Sequence, residues 1–393
     1  MSSLHPTTGV DAAHRGPDES PLHVGLNLIF LVPGDTGGME VAARELIPRL
    51  VACAPPGVRF TAFVSRDAGP GPWDELTAKV EVPVHAADRV ARVRGELQLL
   101  PRLARAAGVD LVHSLASTGP AWGRFARVVT VHDLIYRRFP ETHAGIRALG
   151  MRVLVPLAVR RSDRVIADSE ATREDLVELL GVARERIDVV PLGVGAPVHA
   201  TRMPEVDVRR QLKLGDRRVL LSLSAKRPHK NIEALLDALA SMPERPVLVI
   251  AGYPTAHEHT LQERARALGL EDDVRWVGWL DPAELEGLWA LSSAFVFPSL
   301  YEGFGLPVLE AMARGVPVAC SNASSLPEVA GDAALLFDPR EPAQIAATLQ
   351  ELLTDAQLVA RLRQAGTDRA AQFTWERTAL AVLASYRRAL SRA

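Results

Sequence analysis

The chain has only two cysteines, Cys53 and Cys320, among its 393 residues. They supply neither a disulfide framework nor the spacing of a zinc site, and a reducing compartment, the cytoplasm, is the simplest setting. No run reaches the about 18 apolar residues that a membrane-spanning helix needs. The opening stretch, through about residue 22, has no hydrophobic segment and is rich in Ser, Thr, Pro and charge, which reads as a disordered tail rather than a signal peptide. Charge of one sign is missing too: the formal net charge is −2, too balanced for a general nucleic-acid binder. There is no D-x-D pair to hold a divalent metal on a diphosphate, so no metal or other cofactor is expected. A Walker P-loop and a G-x-S-x-G elbow are also absent, which weighs against NTPase and α/β-hydrolase chemistry.

What is present is a repeated alternation of short apolar runs with helical segments. Hydrophobic residues make up 48% of the chain, enough for two cores at this length. The run 24–32 reads as a buried parallel strand. Further strands are expected near 60–64, 80–84, 110–113, 128–131, 164–167 and 187–190. After a Pro-rich, charged linker at 196–215 the alternation restarts, with strands near 218–223, 246–251, 274–277, 294–297, 316–320 and 333–337. Two doubly wound parallel sheets follow from this pattern. The domain expectation is a tail over 1–22, a first domain over 23–195, the linker, a second domain over 216–373 and a terminal helix over 374–393.

The most informative stretch is AFVFPSLYEGFGLPVLEAMARG, residues 294–315. A buried strand ends at Pro298. A loop with two glycines, Gly303 and Gly305, leads into a helix that starts near Leu306 and Pro307 and stops at Gly315. The free N–H groups at such a helix start suit a phosphate or a sugar hydroxyl. Two carboxylates, Glu302 and Glu310, bracket the loop. Taken alone, Glu310 four residues before Arg314 also has the order of a helix-surface ion pair.

Three other loops carry candidate chemistry. Gly37-Gly38 follow the first strand and precede a helix, another phosphate-cradling geometry. His132-Asp133 lie just past a buried strand end, where His132 offers a donor or acceptor at neutral pH and Asp133 would orient the loop. Lys230 stands at a helix start within SAKRPHKN, placed to neutralise a diphosphate. The stretch 145–161 mixes arginines with apolar residues. It reads first as a core helix with a basic outer face, because Pro156 interrupts it, and second as a contact for an anionic membrane surface.

The E-x7-E spacing, embedded in GFGLPVLEAMARGVPV and followed by SSLPEVAGDAALLFDP, resembles family 4 of the retaining, nucleotide-sugar-dependent glycosyltransferases. The resemblance implies an α/β GT-B fold: two Rossmann-like domains facing across a cleft, with the last helix crossing back onto the first domain. It implies that Glu310 bonds the ribose of the nucleotide. Glu302 and the N–H groups of Gly303, Phe304, Gly305 and Leu306 would hold the donor sugar and its phosphates. Gly37 and Gly38 would lie against the diphosphate, His132 would face the donor sugar, and Lys230 matches the family's lysine. The family's usual arginine position falls on Ser224 or Ala225, so Lys226 or Arg227 would have to supply the second charge. The donor-side string looks most like mannosyltransferase members. GDP-mannose is then the first donor to test, with UDP-sugars open.

The expected enzyme moves a sugar with retention from a nucleoside-diphosphate sugar to a hydroxyl of a glycan, lipid-linked or small-molecule acceptor. It would be cytoplasmic, with a peripheral membrane contact if the acceptor is lipid-linked. Two rivals remain: a GT-B enzyme such as a sugar-nucleotide epimerase or phosphorylase, and a two-lobed sugar-binding protein.

Overall fold

A computed structural model describes residues 22–34, 36–140, 146–195 and 202–391, without the side chains of 146–149. The expected tail lies outside the described residues except for Leu22, whose carbonyl accepts from Arg59 N–H at 2.8 Å. Among the described residues, thirteen strands fall into two fully parallel sheets. The first contains β1 (His23–Leu28), β2 (Arg59–Val64), β3 (Ala78–Glu81), β4 (Leu111–Ser114), β5 (Ala126–Val131), β6 (Arg164–Ala167) and β7 (Ile187–Val189). The second contains β8 (Val219–Leu223), β9 (Val247–Ala251), β10 (Val274–Val277), β11 (Ala294–Phe297), β12 (Val318–Ser321) and β13 (Leu335–Phe337). Their orders are β3-β2-β1-β4-β5-β6-β7 and β10-β9-β8-β11-β12-β13. Each order reverses once, between β1 and β4 and between β8 and β11, and in open α/β sheets ligands bind at that reversal.

Alternate residues of β9 show why both faces are covered. Val247, Val249 and Ala251 pack into one apolar cluster, while Leu248 and Ile250 pack into another on the opposite face. Strands buried on both sides read as continuous apolar runs.

Three stretches differ from the sequence reading. The strand expected at 80–84 runs over Ala78–Glu81, because Pro83 has no N–H for the ladder, and Val82 and Val84 are buried beyond its end. The first strand ends at Leu28 rather than at 32, because the Asn27 side chain accepts from the Ile29 N–H and Leu31 N–H donates back to Leu28. Ile29 to Leu31 stay buried as a turn. The expected linker is partly structured: the helix Glu205–Gln211 lies within it and buries Val208 against the second core. The stretch 196–201 lies outside the described residues. The helix Ile146–Arg161 packs Val155, Ala158 and Val159 into the first domain, with Arg152, Arg160 and Arg161 exposed. Residue 145 lies outside the described residues.

The last helix, Trp375–Leu390, starts at Thr374, whose side chain accepts from Arg377 N–H. Its Trp375, Ala379, Val382, Leu383, Tyr386 and Ala389 join Val24, Leu26, Ala43 and Ile47 in one core, so the end of the chain completes the first domain. Tyr386 anchors it: its hydroxyl bonds His113 Nδ1 at 2.8 Å, and His113 Nε2 bonds Thr130 Oγ1 at 2.8 Å. Burial, together with the nearby His132, drives the His113 pKa down to about 3, so this ring is neutral. Replacing Tyr386 by Ala removes both packing and a polar partner, and is expected to cost about 3–5 kcal/mol. Tyr386→Phe should cost about 1–3 kcal/mol, the effect of one unpaired buried nitrogen. Urea unfolding of the first domain, followed by near-UV circular dichroism, checks both.

Candidate active site

The loops after β5, β6, β8 and β11 converge at the carboxyl ends of the two sheets. The β11 loop makes the junction. A Cβ on Gly303 would stand 1.8 Å from the His132 carbonyl oxygen and 2.9 Å from Asp133 Cβ. No side chain fits there, so only glycine lets the two domains approach this closely. The Gly303 carbonyl accepts from Ser169 Oγ at 2.7 Å and from Thr172 Oγ1 at 3.1 Å, both at the start of the helix Glu170–Leu180 in the first domain. On the other side, Ser325 Oγ, itself fully buried, reaches the carbonyls of Glu302 at 3.0 Å and Phe304 at 2.7 Å.

These bonds aim neighbouring side chains in opposite directions. The Phe304 ring turns into the core against Phe373, 6.0 Å away, so only its backbone is left for a ligand. The Glu302 carboxylate turns toward Lys230, with Nζ at 2.5 Å. Lys230 ends the short turn Pro228–Lys230, and its Nζ also lies 5.4 Å from the centre of the Phe297 ring. Gly305 takes φ +110° and caps the helix Leu306–Ala313 without any side-chain acceptor; Pro307 has no N–H and Val308 N–H donates to the Gly305 carbonyl at 3.0 Å, so the N–H left without a side-chain acceptor at this helix start is that of Leu306.

Glu310 lies one turn along. The ion pair with Arg314, the alternative reading, is not made. Arg314 directs its guanidinium to Glu286 Oε1 and Oε2 with Nε at 3.1 Å, and bonds only the backbone carbonyl of Glu310. Burial raises the Glu310 pKa, the Arg314 charge opposes this, and Glu286 adds to it. A half-buried carboxylate whose nearest cation is engaged elsewhere suits hydroxyl donors.

His132 differs from its expected part. Its Nδ1 lies 2.6 Å from Asp168 Oδ2 and its Nε2 lies 2.9 Å from the Leu115 carbonyl. Both partners are acceptors, so both nitrogens carry protons. Burial pushes the pKa down, but Asp168 outweighs it, with help from the Leu115 carbonyl and Asp133, and the net value rises to about 9. In this conformation the ring is therefore a fixed imidazolium rather than a free donor or acceptor facing a sugar. A cavity of about 20 Å³ beside it, lined partly by Leu115, Thr130 and Asp168, holds no more than one water and no sugar. Asp133 closes its own turn by accepting from Ile135 N–H at 2.9 Å.

The second positive charge can be narrowed. Lys226 is fully buried, with Nζ donating to the carbonyls of Gly252 at 2.8 Å and Val277 at 2.9 Å. It ties the loops after β8, β9 and β10 together and is not available to a diphosphate. Arg227, half-buried at the cap of the Lys230 turn, remains. Gly37, at φ +54°, caps the helix Gly38–Cys53, and a Cβ on either Gly37 or Gly38 would meet nothing within 4 Å. No protein atom therefore crowds either glycine on its Cβ side. Among the described residues no group of three or more His, Cys, Asp or Glu is gathered to hold a metal ion, and no helix is long and apolar enough to cross a membrane.

The family description "Glycosyltransferase Family 4" matches residues 36–196, and "Glycosyl transferases group 1" matches residues 205–369. The O-antigen chain mannosyltransferase B of Escherichia coli is 31% identical over 66% of this chain and 70% of its own length. The D-inositol 3-phosphate glycosyltransferase of Thermobispora bispora is 30% identical over 91% of each chain. The chain belongs to the family 4 glycosyltransferases of the GT-B fold. Among solved structures, sucrose-phosphate synthase from Thermosynechococcus elongatus superposes with a TM-score of 0.75 at 22% identity, over 95% of this chain and all of that one.

Sequence reasoning missed the first-domain side of the glycosyltransferase site: Asp168, Ser169, Thr172 and Asp175. The only signal for them is ADSEATRED, in which Ser169 directly after a strand reads as an N-cap. Tyr301 was in the informative stretch but carried no assigned role.

Two outcomes follow. Gly303→Ala should leave each domain folded but lower turnover at least tenfold, since the domains can no longer meet; kinetics beside the thermal unfolding profile check it. The raised His132 pKa stabilises the fold fully below about 6.5, and that contribution is lost as pH rises through about 9. At its largest it amounts to roughly 3 kcal/mol. The stability gap between wild type and His132→Gln, from urea unfolding at pH 6 and pH 9.5, should shrink accordingly.

Proposed function

We propose that this glycosyltransferase moves a mannosyl group from GDP-mannose to an acceptor hydroxyl, with retention at the anomeric carbon and without a metal ion. The observation that carries the reading is the set made by Lys230, Glu302, Glu310 and the open helix start after Gly305, gathered at the reversal between β8 and β11. A nucleoside diphosphate has a ribose with two hydroxyls and a chain of anionic oxygens. Glu310 accepts from the ribose, and Lys230 with the N–H groups of 305–306 takes the diphosphate. Mannose is favoured by the E. coli mannosyltransferase relative, while the inositol-phosphate relative keeps other donors in the screen.

In the reaction the bond from the anomeric carbon to the β-phosphate oxygen breaks, and the charge that develops on that oxygen falls to Lys230, Arg227 and the Gly37-Gly38 helix start. The acceptor oxygen attacks from the same face. Its proton passes to the departing diphosphate, so the products are the glycoside and a nucleoside diphosphate. Glu302, released from Lys230 as the diphosphate takes its place, is free to accept from the sugar's hydroxyls. The acceptor is a glycan, a lipid-linked saccharide or a small polyol.

Thermal shift with UDP and GDP tests the reading. One nucleotide at a hundredfold excess over its Kd should stabilise the wild type by about 2.7 kcal/mol. Glu310→Ala should lose most of that shift. Lys230→Ala should lower kcat by about 10²–10³-fold. A wild type that neither nucleotide stabilises would overturn the transferase assignment of this site.

A further inference from the structure

Tyr301 directly precedes Glu302, yet its hydroxyl points away from the second domain. It donates to Asp175 Oδ2 at 2.5 Å and accepts from the Leu134 N–H at 3.3 Å. One phenol therefore touches the loop that carries Glu302, the helix Glu170–Leu180, and the turn that follows His132 and Asp133. Tyr301 and Asp175 are 6% and 5% exposed, so this bond is shielded from water when the domains are together.

The Asp175 carboxylate is used completely. Its Oδ1 accepts from Arg138 Nε at 2.9 Å and Nη2 at 2.6 Å, which fixes its direction. A phenol donating to an ionised carboxylate makes a bond about twice as strong as a neutral pair. Other contacts lie around it. Glu328 of the second domain accepts from the N–H groups of Glu170 at 3.1 Å and Ala171 at 3.4 Å, at the positive end of the same helix. Ser169 and Thr172 hold the Gly303 carbonyl, and the Phe139 ring lies 6.0 Å from that of Tyr301.

We propose that Tyr301 is a positioning residue that couples closure of the two domains to the order of the Glu302 loop, through its hydrogen bonds to Asp175 and to the backbone of Leu134. The consequence for turnover rests on the transferase reading above; the coupling itself does not. When the domains part, water can satisfy both the phenol and the carboxylate. When they close, only the partner can. Removing the hydroxyl thus burdens the closed state alone, leaving one oxygen of Asp175 buried and unpaired there. The Glu302 carboxylate, one residue away, then loses one of the anchors that set its direction toward Lys230, the bonds of Ser169, Thr172 and Ser325 being the others.

The test compares wild type, Tyr301→Phe, Asp175→Asn and the double variant, all without nucleotide, by hydrogen–deuterium exchange of peptides covering 169–176 and 299–306, with small-angle scattering alongside. Tyr301→Phe should raise exchange in both segments together, by roughly ten- to hundredfold, and widen the scattering profile. The double variant should be no worse than the more affected single one. Exchange unchanged in both segments would overturn the proposal. So would a rise confined to 299–306, because a local loop defect leaves the first-domain helix alone. With nucleotide sugar, Tyr301→Phe should lower kcat while keeping the Glu310-dependent shift with UDP or GDP; an unchanged kcat would remove the link to turnover. A wild type stabilised by neither nucleotide would sink the transferase reading and still leave the exchange experiment decisive.

Discussion

The active site depends on how closely two backbones can approach. Gly303 and the carbonyl of His132 leave no room for a side chain between them. Because Gly303 is pinned by Ser169 and Thr172 from one domain, and its neighbours by Ser325 from the other, the residues on either side have little choice of direction. Glu302 faces Lys230, Phe304 enters the core, and Tyr301 reaches back across the interface. A loop with one fewer constraint would still follow β11, but its carboxylate would not be aimed.

The charges around this junction are almost all neutralised in pairs: His132 with Asp168, Arg138 with Asp175, Lys230 with Glu302, Arg314 with Glu286. Taking ions out of water is costly unless the partners and hydrogen bonds are complete, and here they are largely complete. Glu310 stands outside this pairing. Under the donor binding proposed above, the Lys230–Glu302 pair is the other point where a ligand would change the balance, since a dianionic diphosphate would compete with one carboxylate for one ammonium. Binding there would exchange one anion for another instead of exposing a bare charge.

The last helix ties the end of the chain back to the first domain. Residues 375–390 carry an apolar face that belongs to the first core, although they follow the second domain in sequence. The chain therefore crosses between the domains twice. Gly193 marks how tightly these two crossings run together: a Cβ there would stand 2.3 Å from the Trp375 amide nitrogen. The domains are joined by this double connection at one end and by the Tyr301 and Glu328 contacts at the other.

The order of strands and helices was legible in the sequence, because a parallel strand buried on both faces leaves an unbroken apolar run that needs no partner to be recognised. Most of the described strands follow that signal; β3 is largely exposed and begins ahead of the apolar run assigned to it, and the turn after Leu28, set by the Asn27 side chain, was hidden inside another run. The donor-side loop was legible for a similar reason: its glycines, Pro307 and two glutamates lie within a single stretch of strand, turn and helix. Other features were decided only by the tertiary structure. Whether Glu310 would pair with Arg314 depended on Glu286, which is distant in sequence. Whether Lys226 could meet a ligand depended on the carbonyls of Gly252 and Val277. The imidazolium state of His132 depended on Asp168, thirty-six residues away, and the task of Tyr301 on Asp175 in the other domain. Local patterns record burial and backbone conformation, which a residue carries with it; charge state and hydrogen-bond partners belong to pairs of residues, and folding chooses the pairs.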